Sequence, residues 1–126
     1  MAHRSRLAGF IIDCQTQDLE GAATFWGSAL GLPVEKLPPG EETYRRLDTG
    51  PTGLHIEVQQ VSHASRVHLD IESDDIEAEA QRLEKLGAKR IQKIQTWLVM
   101  EAPTGQRFCI VRPQAADFAE RANVWK

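Results

Sequence analysis

His55 and Glu57 stand two residues apart, as do His68 and Asp70, and both pairs sit among apolar neighbours. Residues two apart in a strand project from the same face, so each stretch presents an imidazole beside a carboxylate. Gln59 extends the first row and Glu72 the second. Two imidazoles and a carboxylate, as in a grouping of His55, Glu57 and His68, would suit zinc or non-haem iron. His55 would then have to reach the same centre as Glu57 from two residues away. Asp70 has two readings: it orients the His68 ring and fixes its tautomer, or it has a structural task shared with Asp13.

A third stretch, Arg107 to Val111, places Arg107, Cys109 and Val111 on one face and Phe108 and Ile110 on the other. Arg107 either clamps a ligand carboxylate or phosphate through its planar fork or pairs with a local carboxylate at the rim. Cys109 is either a thiolate donor or a small buried hydrophobe. Trp97 serves as the wall of an apolar pocket or as packing, and Trp26 as core. His3 and His63, in a terminal segment and a loop, are expected to be solvated.

The elements that must position these groups are written twice. Gly9 to Gln15 reads as a strand. Asp18 to Leu30 then shifts to helical spacing, with Leu19, Ala22, Ala23, Trp26 and Leu30 on one face, Asp18 as N-cap and Gly31 as the stop. Strands follow near Pro33 to Lys36, Thr43 to Asp48 and Leu54 to Val61, with a Pro38-Pro39-Gly40 loop between the first two. In the second half, Arg66 to Glu72 is a strand, and Asp74 with Glu77 resembles a capping box. The helix it opens has Ile76, Ala80 and Leu83 on its apolar face and ends at Gly87. Lys89 to Ile94, Trp97 to Glu101 and Arg107 to Arg112 supply three more strands. Each half is βαβββ.

The halves register directly. Ile11-Ile12-Asp13 falls on His68-Leu69-Asp70 at an offset of 57, and Asp18-Leu19-Glu20 falls on Asp75-Ile76-Glu77 at the same offset. Pro-Thr-Gly opens the last strand of each half, at Pro51 and again at Pro103, and its glycine is expected to supply a positive φ. Glu57 of the first copy therefore occupies the place of Cys109 in the second.

Bulk properties narrow the possible partners. A chain of 126 residues with 41% hydrophobic content suits one domain, 1–126, comprising a module at about 7–61, a second at about 66–113 and a tail at 114–126. A net charge of -3 without basic runs excludes a nucleic-acid surface. The apolar run from Leu7 to Ile12 is too short for a signal peptide, and no stretch is apolar for long enough to span a bilayer. Two cysteines, Cys14 and Cys109, outside any CxxC pattern read as reduced thiols in a cytoplasmic protein.

Three stretches carry a family resemblance: DLEGAATFWGSALGL, RVHLDIESDDIEAEAQRLEKLGA and WLVMEAPTGQRFCIVRP. In that order, over residues 7 to 113, the chain resembles the vicinal oxygen chelate superfamily, which includes glyoxalase I, bleomycin-resistance proteins and extradiol dioxygenases, and is closest to its glyoxalase-like domain proteins. The resemblance implies an α+β fold in which two βαβββ modules form a curled mixed β-sheet cup with helices outside. It also implies four cup-facing positions that commonly hold a divalent metal, here Ile11, Glu57, His68 and Cys109. Isoleucine offers no lone pair, and a thiolate in place of a carboxylate favours zinc over hard octahedral ions. The remaining metal set is Glu57, His68 and Cys109, for zinc, nickel, manganese or iron.

The pocket candidates are Ile11, His55, Glu57, His68, Asp70, Trp97, Arg107 and Cys109. The incomplete ligand set implies a protein that holds a small organic molecule in the cup without cofactor. The alternative is a divergent divalent-metal lyase, isomerase or dioxygenase using Glu57 and His68. Glyoxalase I activity itself is not expected, because the position of its carboxylate base is taken by Cys109. The resemblance further implies a homodimer. The tail, with Phe118, Val124 and Trp125, is expected to cover either a partner or its own cup.

Overall fold

The computed structural model describes residues 2–36, 42–51 and 53–126. The Pro38-Pro39-Gly40 loop therefore lies outside the described residues. Two compact units emerge. The N-terminal unit is Phe10–Val67, and the C-terminal unit joins the residues up to Gly9 to His68–Lys126. The first strand, β1 (His3–Gln15), is longer than the seven residues expected and contributes to both.

In the N-terminal unit β1 leads into α1 (Leu19–Leu30), β2 (Val34–Lys36), β3 (Tyr44–Leu47) and β4 (His55–Val61). Asp18 caps α1, its Oδ1 accepting from the Gly21 N–H at 3.0 Å, and Gly31 ends the helix in the left-handed region at φ 71. The sheet runs β2-β3-β4 with antiparallel pairings, and β1 lies beside β4. Leu19 of α1 buries against Ile12, Leu47, Ile56 and Val58, with Trp26 half-buried alongside. Leu30, expected on this face, is exposed. The backbone of Gly27 approaches Leu32 and Val34 in its place, so closely that a Cβ there would lie 2.9 Å from the Leu32 carbonyl.

The C-terminal unit contains β5 (Arg66–Ser73, from His68 on), α2 (Ile76–Lys85), β6 (Lys89–Ile94), β7 (Trp97–Glu101), β8 (Arg107–Val111), α3 (Phe118–Arg121) and β9 (Asn123–Trp125). Its strand order is β5-β8-β7-β6, with β5 and β8 parallel and the other neighbours antiparallel. Ala80 and Leu83 of α2 pack on Met100 and Ile110, with Ile71, Ile76, Leu98 and Phe108 around them. Both βαβββ modules and the α+β class are thus observed. Among the described residues no helix is long and apolar enough to cross a membrane.

Several local expectations are corrected. The cap of α2 is Asp75, which accepts from the Ala78 N–H at 3.0 Å, as the 57-residue offset from Asp18 requires. Asp74 is not the cap; its Oδ1 accepts from the Arg4 N–H at 2.8 Å. Of the two Pro-Thr-Gly turns, the second holds Gly105 at φ 93. In the first, the glycine is required by close approach: a Cβ on Gly53 would lie 2.3 Å from the Thr49 carbonyl.

His3, expected in solvent, is buried. Its Nε2 donates to Glu79 Oε1 at 2.8 Å, Ser5 Oγ donates to Oε2 at 2.8 Å, and Arg82 donates to both oxygens. The tail also lies on its own chain. β9 pairs antiparallel with β1 at His3–Ser5, the Trp125 indole N–H donates to Ser5 Oγ at 2.8 Å, and the Arg82 guanidinium stacks 3.9 Å from the Trp125 ring. Glu79 is thus a fully buried carboxylate that binds α2 to both ends of the chain. Desolvation pushes its pKa up, but the hydrogen bonds from Arg82, His3 and Ser5 outweigh this and hold it below the ordinary 4.5.

Removing one partner of such a buried network strands the others. Glu79→Ala is expected to lower the unfolding free energy in urea by about 3–5 kcal/mol. Because the folded pKa is depressed, the contribution of Glu79 is complete above the ordinary carboxylate value and is lost as pH falls from there through the folded value. Urea midpoints measured between neutral and strongly acid pH should therefore show a smaller acid loss in Glu79→Ala than in the wild type.

Candidate functional site

Strand alternation sorts each sheet into a helix face and an open row. In β5 Ile71 packs toward α2, which turns His68, Asp70 and Glu72 to the opposite face. In β8 Phe108 and Ile110 pack toward α2, so Arg107, Cys109 and Val111 face away. The parallel register sets Asp70 beside Cys109. The imidazole of His68, the carboxylate of Asp70 and the Sγ of Cys109 consequently gather with donor atoms all within 4.8 Å of one another. His68 Nε2 lies 3.6 Å from Asp70 Oδ1; Asp70 and Cys109 are buried and His68 half-buried.

The neighbouring strand β7 completes this face. Leu98 and Met100 belong to the α2 cluster, leaving Trp97, Val99 and Glu101 on the same side as Cys109. Val99 stands opposite Cys109 and Glu101 opposite Arg107. Arg107 Nε lies 3.1 Å from Glu101 Oε2, the rim pairing that was one of its two readings.

The other candidates lie in the N-terminal unit. Ile12, Ile56, Val58 and Leu47 form its core, so Ile11, His55, Glu57 and Arg46 face away from α1. Ile11 and Glu57 are buried, and His55 Nε2 lies 3.2 Å from Glu57 Oε1. Glu57 is thus engaged by His55 within its own unit. Buried Asp13, the first-module counterpart of Asp70, has Arg66 Nε at 3.7 Å. Neither cysteine is in a disulfide, and burial pushes the Cys14 thiol above its ordinary value against a hydrogen bond with Trp26.

The donor set His68, Asp70 and Cys109 differs from the expected Glu57, His68 and Cys109 by one member. Asp70 enters through the β5–β8 register, which places it directly against Cys109. A cleft of about 700 Å³ opens elsewhere in the N-terminal unit, lined by Gln15, Thr16, Gln17, Thr43, Gln60, Val61 and Ser62. Among the described residues its lining of amides and hydroxyls includes no titratable group. His63 is exposed in its loop, as expected.

Comparison with solved structures places this arrangement among known folds. A methylmalonyl-CoA epimerase in complex with methylmalonyl-CoA and NH4+ superposes with a TM-score of 0.59 at 16% identity, over 91% of this chain and 97% of that one. The methylmalonyl-CoA epimerase of Mycobacterium tuberculosis gives 0.61 at 14% identity, over 86% and 87%. A glyoxalase/bleomycin resistance protein/dioxygenase superfamily member from Vibrio splendidus 12B01 gives 0.55 at 19%, over 86% and 99%. At these identities the likeness is one of fold. No curated protein sequence matches the chain. The glyoxalase-like domain family matches residues 9–111, the span of both βαβββ modules, and the chain belongs to that family.

Proposed function

We propose that the chain binds a small, oxygen-bearing organic molecule on the face that carries His68, Asp70 and Cys109, with a divalent ion of the zinc or iron(II) type as part of the site. The observation that supports this reading is the gathering of three different donors within 4.8 Å. Imidazole, carboxylate and thiolate together form a borderline-to-soft set. Tetrahedral zinc with bonds of 2.0–2.3 Å separates its donors by about 3.5 Å. The three side chains would need to close by roughly 1 Å, within the range of a rotamer adjustment.

When bound, such an ion would act as a Lewis acid on a substrate oxygen. The chain's own residues have separate tasks. Asp70 beside His68 orients the ring, and the buried Cys109 must give up its proton to ligate. Occupancy should therefore rise with pH. The ligand held by the epimerase relative makes acyl-CoA thioesters the first compounds to screen, followed by hemithioacetals and catechols. The homodimer implied by the family is part of this proposal, and light scattering of the purified chain reads it directly.

A second reading, binding without metal, is favoured by Ile11, a buried hydrocarbon at a position where the family commonly places a ligand. Elemental analysis of untagged protein loaded in turn with zinc and iron(II) separates the two. About one ion per chain is expected, lost in His68→Ala and Cys109→Ser and kept in the exposed-loop control His63→Ala. Metal retained equally by all three variants, or taken up by none of the proteins, would remove the ion from the proposal. An apolar ligand that quenches Trp97 fluorescence in the metal-free protein would then support the second reading.

A further inference from the structure

Arg46 is a half-buried cation whose Nε–H has no hydrogen-bond partner among the described residues. It sits on β3 between two carboxylates in strand register, Glu35 of β2 on one side and Glu57 of β4 on the other. Directly opposed side chains on adjacent strands are well placed to pair. Arg46 nevertheless forms no ion pair with either among the described residues, and its Nε–H is buried without a hydrogen-bond partner there. Glu57 is instead 3.2 Å from His55, and Glu35 is exposed.

The other half-buried arginines behave differently. Arg6 lies against Glu72, Arg45 against Glu20, Arg82 against Glu79 and Arg107 against Glu101. A buried donor left unmade is costly, and native chains retain few of them without a purpose. The alternation sets the direction of Arg46. Leu47 and Arg45 turn toward α1, where Arg45 meets Glu20, so Arg46 and Tyr44 project from the side away from the helix. Gln59 stands opposite Tyr44 on that side and His55 adjoins Glu57.

We infer that Arg46 is the anchor of an anion site on the β3–β4 face, and that its ligand group is the carboxylate of a small organic acid. The guanidinium fork fits a carboxylate through two parallel N–H bonds, which would satisfy the buried Nε. Glu35 and Glu57 flank the cation in register, so a monoanionic carboxylate meets less repulsion than a dianionic phosphate. The site belongs to the N-terminal unit and does not require metal at His68, Asp70 and Cys109.

The test uses the full chain stripped of metal with chelator, so that no carboxylate can report through an ion. Propionate and, separately, inorganic phosphate are titrated while the arginine Nε–H resonances are followed by NMR, that of Arg46 being assigned by its loss in Arg46→Gln. Propionate is expected to shift the Arg46 resonance saturably and to bind Arg46→Gln about tenfold more weakly or worse. Without ligand, Arg46→Met is expected to match or exceed the wild-type thermal midpoint, as a cation kept for binding should when replaced by an apolar chain of similar length. No propionate shift, equal affinity in Arg46→Gln, a response to phosphate alone, or a clear fall in the midpoint of Arg46→Met would each overturn the assignment.

Discussion

A β-strand has two faces and no third, and in each unit one face is committed to a helix. Once Ile12, Ile56 and Val58 pack beneath α1, and Ile71, Phe108 and Ile110 beneath α2, every intervening side chain is delivered to the opposite side. No further specification is needed to bring His68, Asp70 and Cys109 together. The core residues between them fix the row, and the β5–β8 register fixes which members touch. A one-residue slip of either strand would bury the imidazole and thiol rows against α2 and expose the core, so the site and the core are protected by the same free energy.

That constraint leaves the chain ends unaccounted for, and buried carboxylates hold them. Glu79 gathers His3, Ser5 and Arg82, while Glu72 accepts from the backbone N–H groups of Gln114 and Ala115 and lies 3.1 Å from Arg6 Nε. An isolated buried carboxylate would be prohibitively costly. Held by hydrogen bonds and a facing cation, it becomes a directional fastener that an apolar side chain cannot imitate. In this way the tail from Gln114 is tied to β5 and the last strand to β1, and Trp125 finds its surface under Arg82.

The parts of this architecture that depend on local periodicity were legible in the sequence. Helix faces, most strand positions and both modules follow from patterns of two and of three to four residues. The internal repeat was a better guide than a local motif: the offset of 57 aligned Asp18 with Asp75, and Asp75 is the cap, whereas the capping-box spacing favoured Asp74. What escaped was long-range. His3 and Glu79 are 76 residues apart, and no spacing rule joins a terminal histidine to the buried face of a distant helix. Asp70 as the neighbour of Cys109 required the register between two strands. Arg46 was invisible for another reason, because an arginine on a polar strand row usually finds a carboxylate, and the absence of an ion pair among the described residues appears only in three dimensions.

Duplication then explains how one scaffold carries two different chemistries. Equivalent slots read Ile11, Asp13, Arg46 and Glu57 in the first module and His68, Asp70, Val99 and Cys109 in the second, matched by offset and by the shared β3–β4 and β7–β8 pairings. The acid on the opening strand is common to both, buried each time, but its neighbours differ. In the first module Asp13 faces the cation of Arg66, and in the second Asp70 faces an imidazole and a thiol. A carboxylate beside a fixed cation is a closed ion pair, whereas a carboxylate beside two further donors can serve a metal ion. Because the backbone of each slot is set by the helix-facing core, substitutions in the open row change the chemistry without disturbing the fold. Glu57 and Cys109 show how far that freedom extends: one slot holds a hard acceptor paired with a histidine, and the other a soft donor beside a histidine and an aspartate.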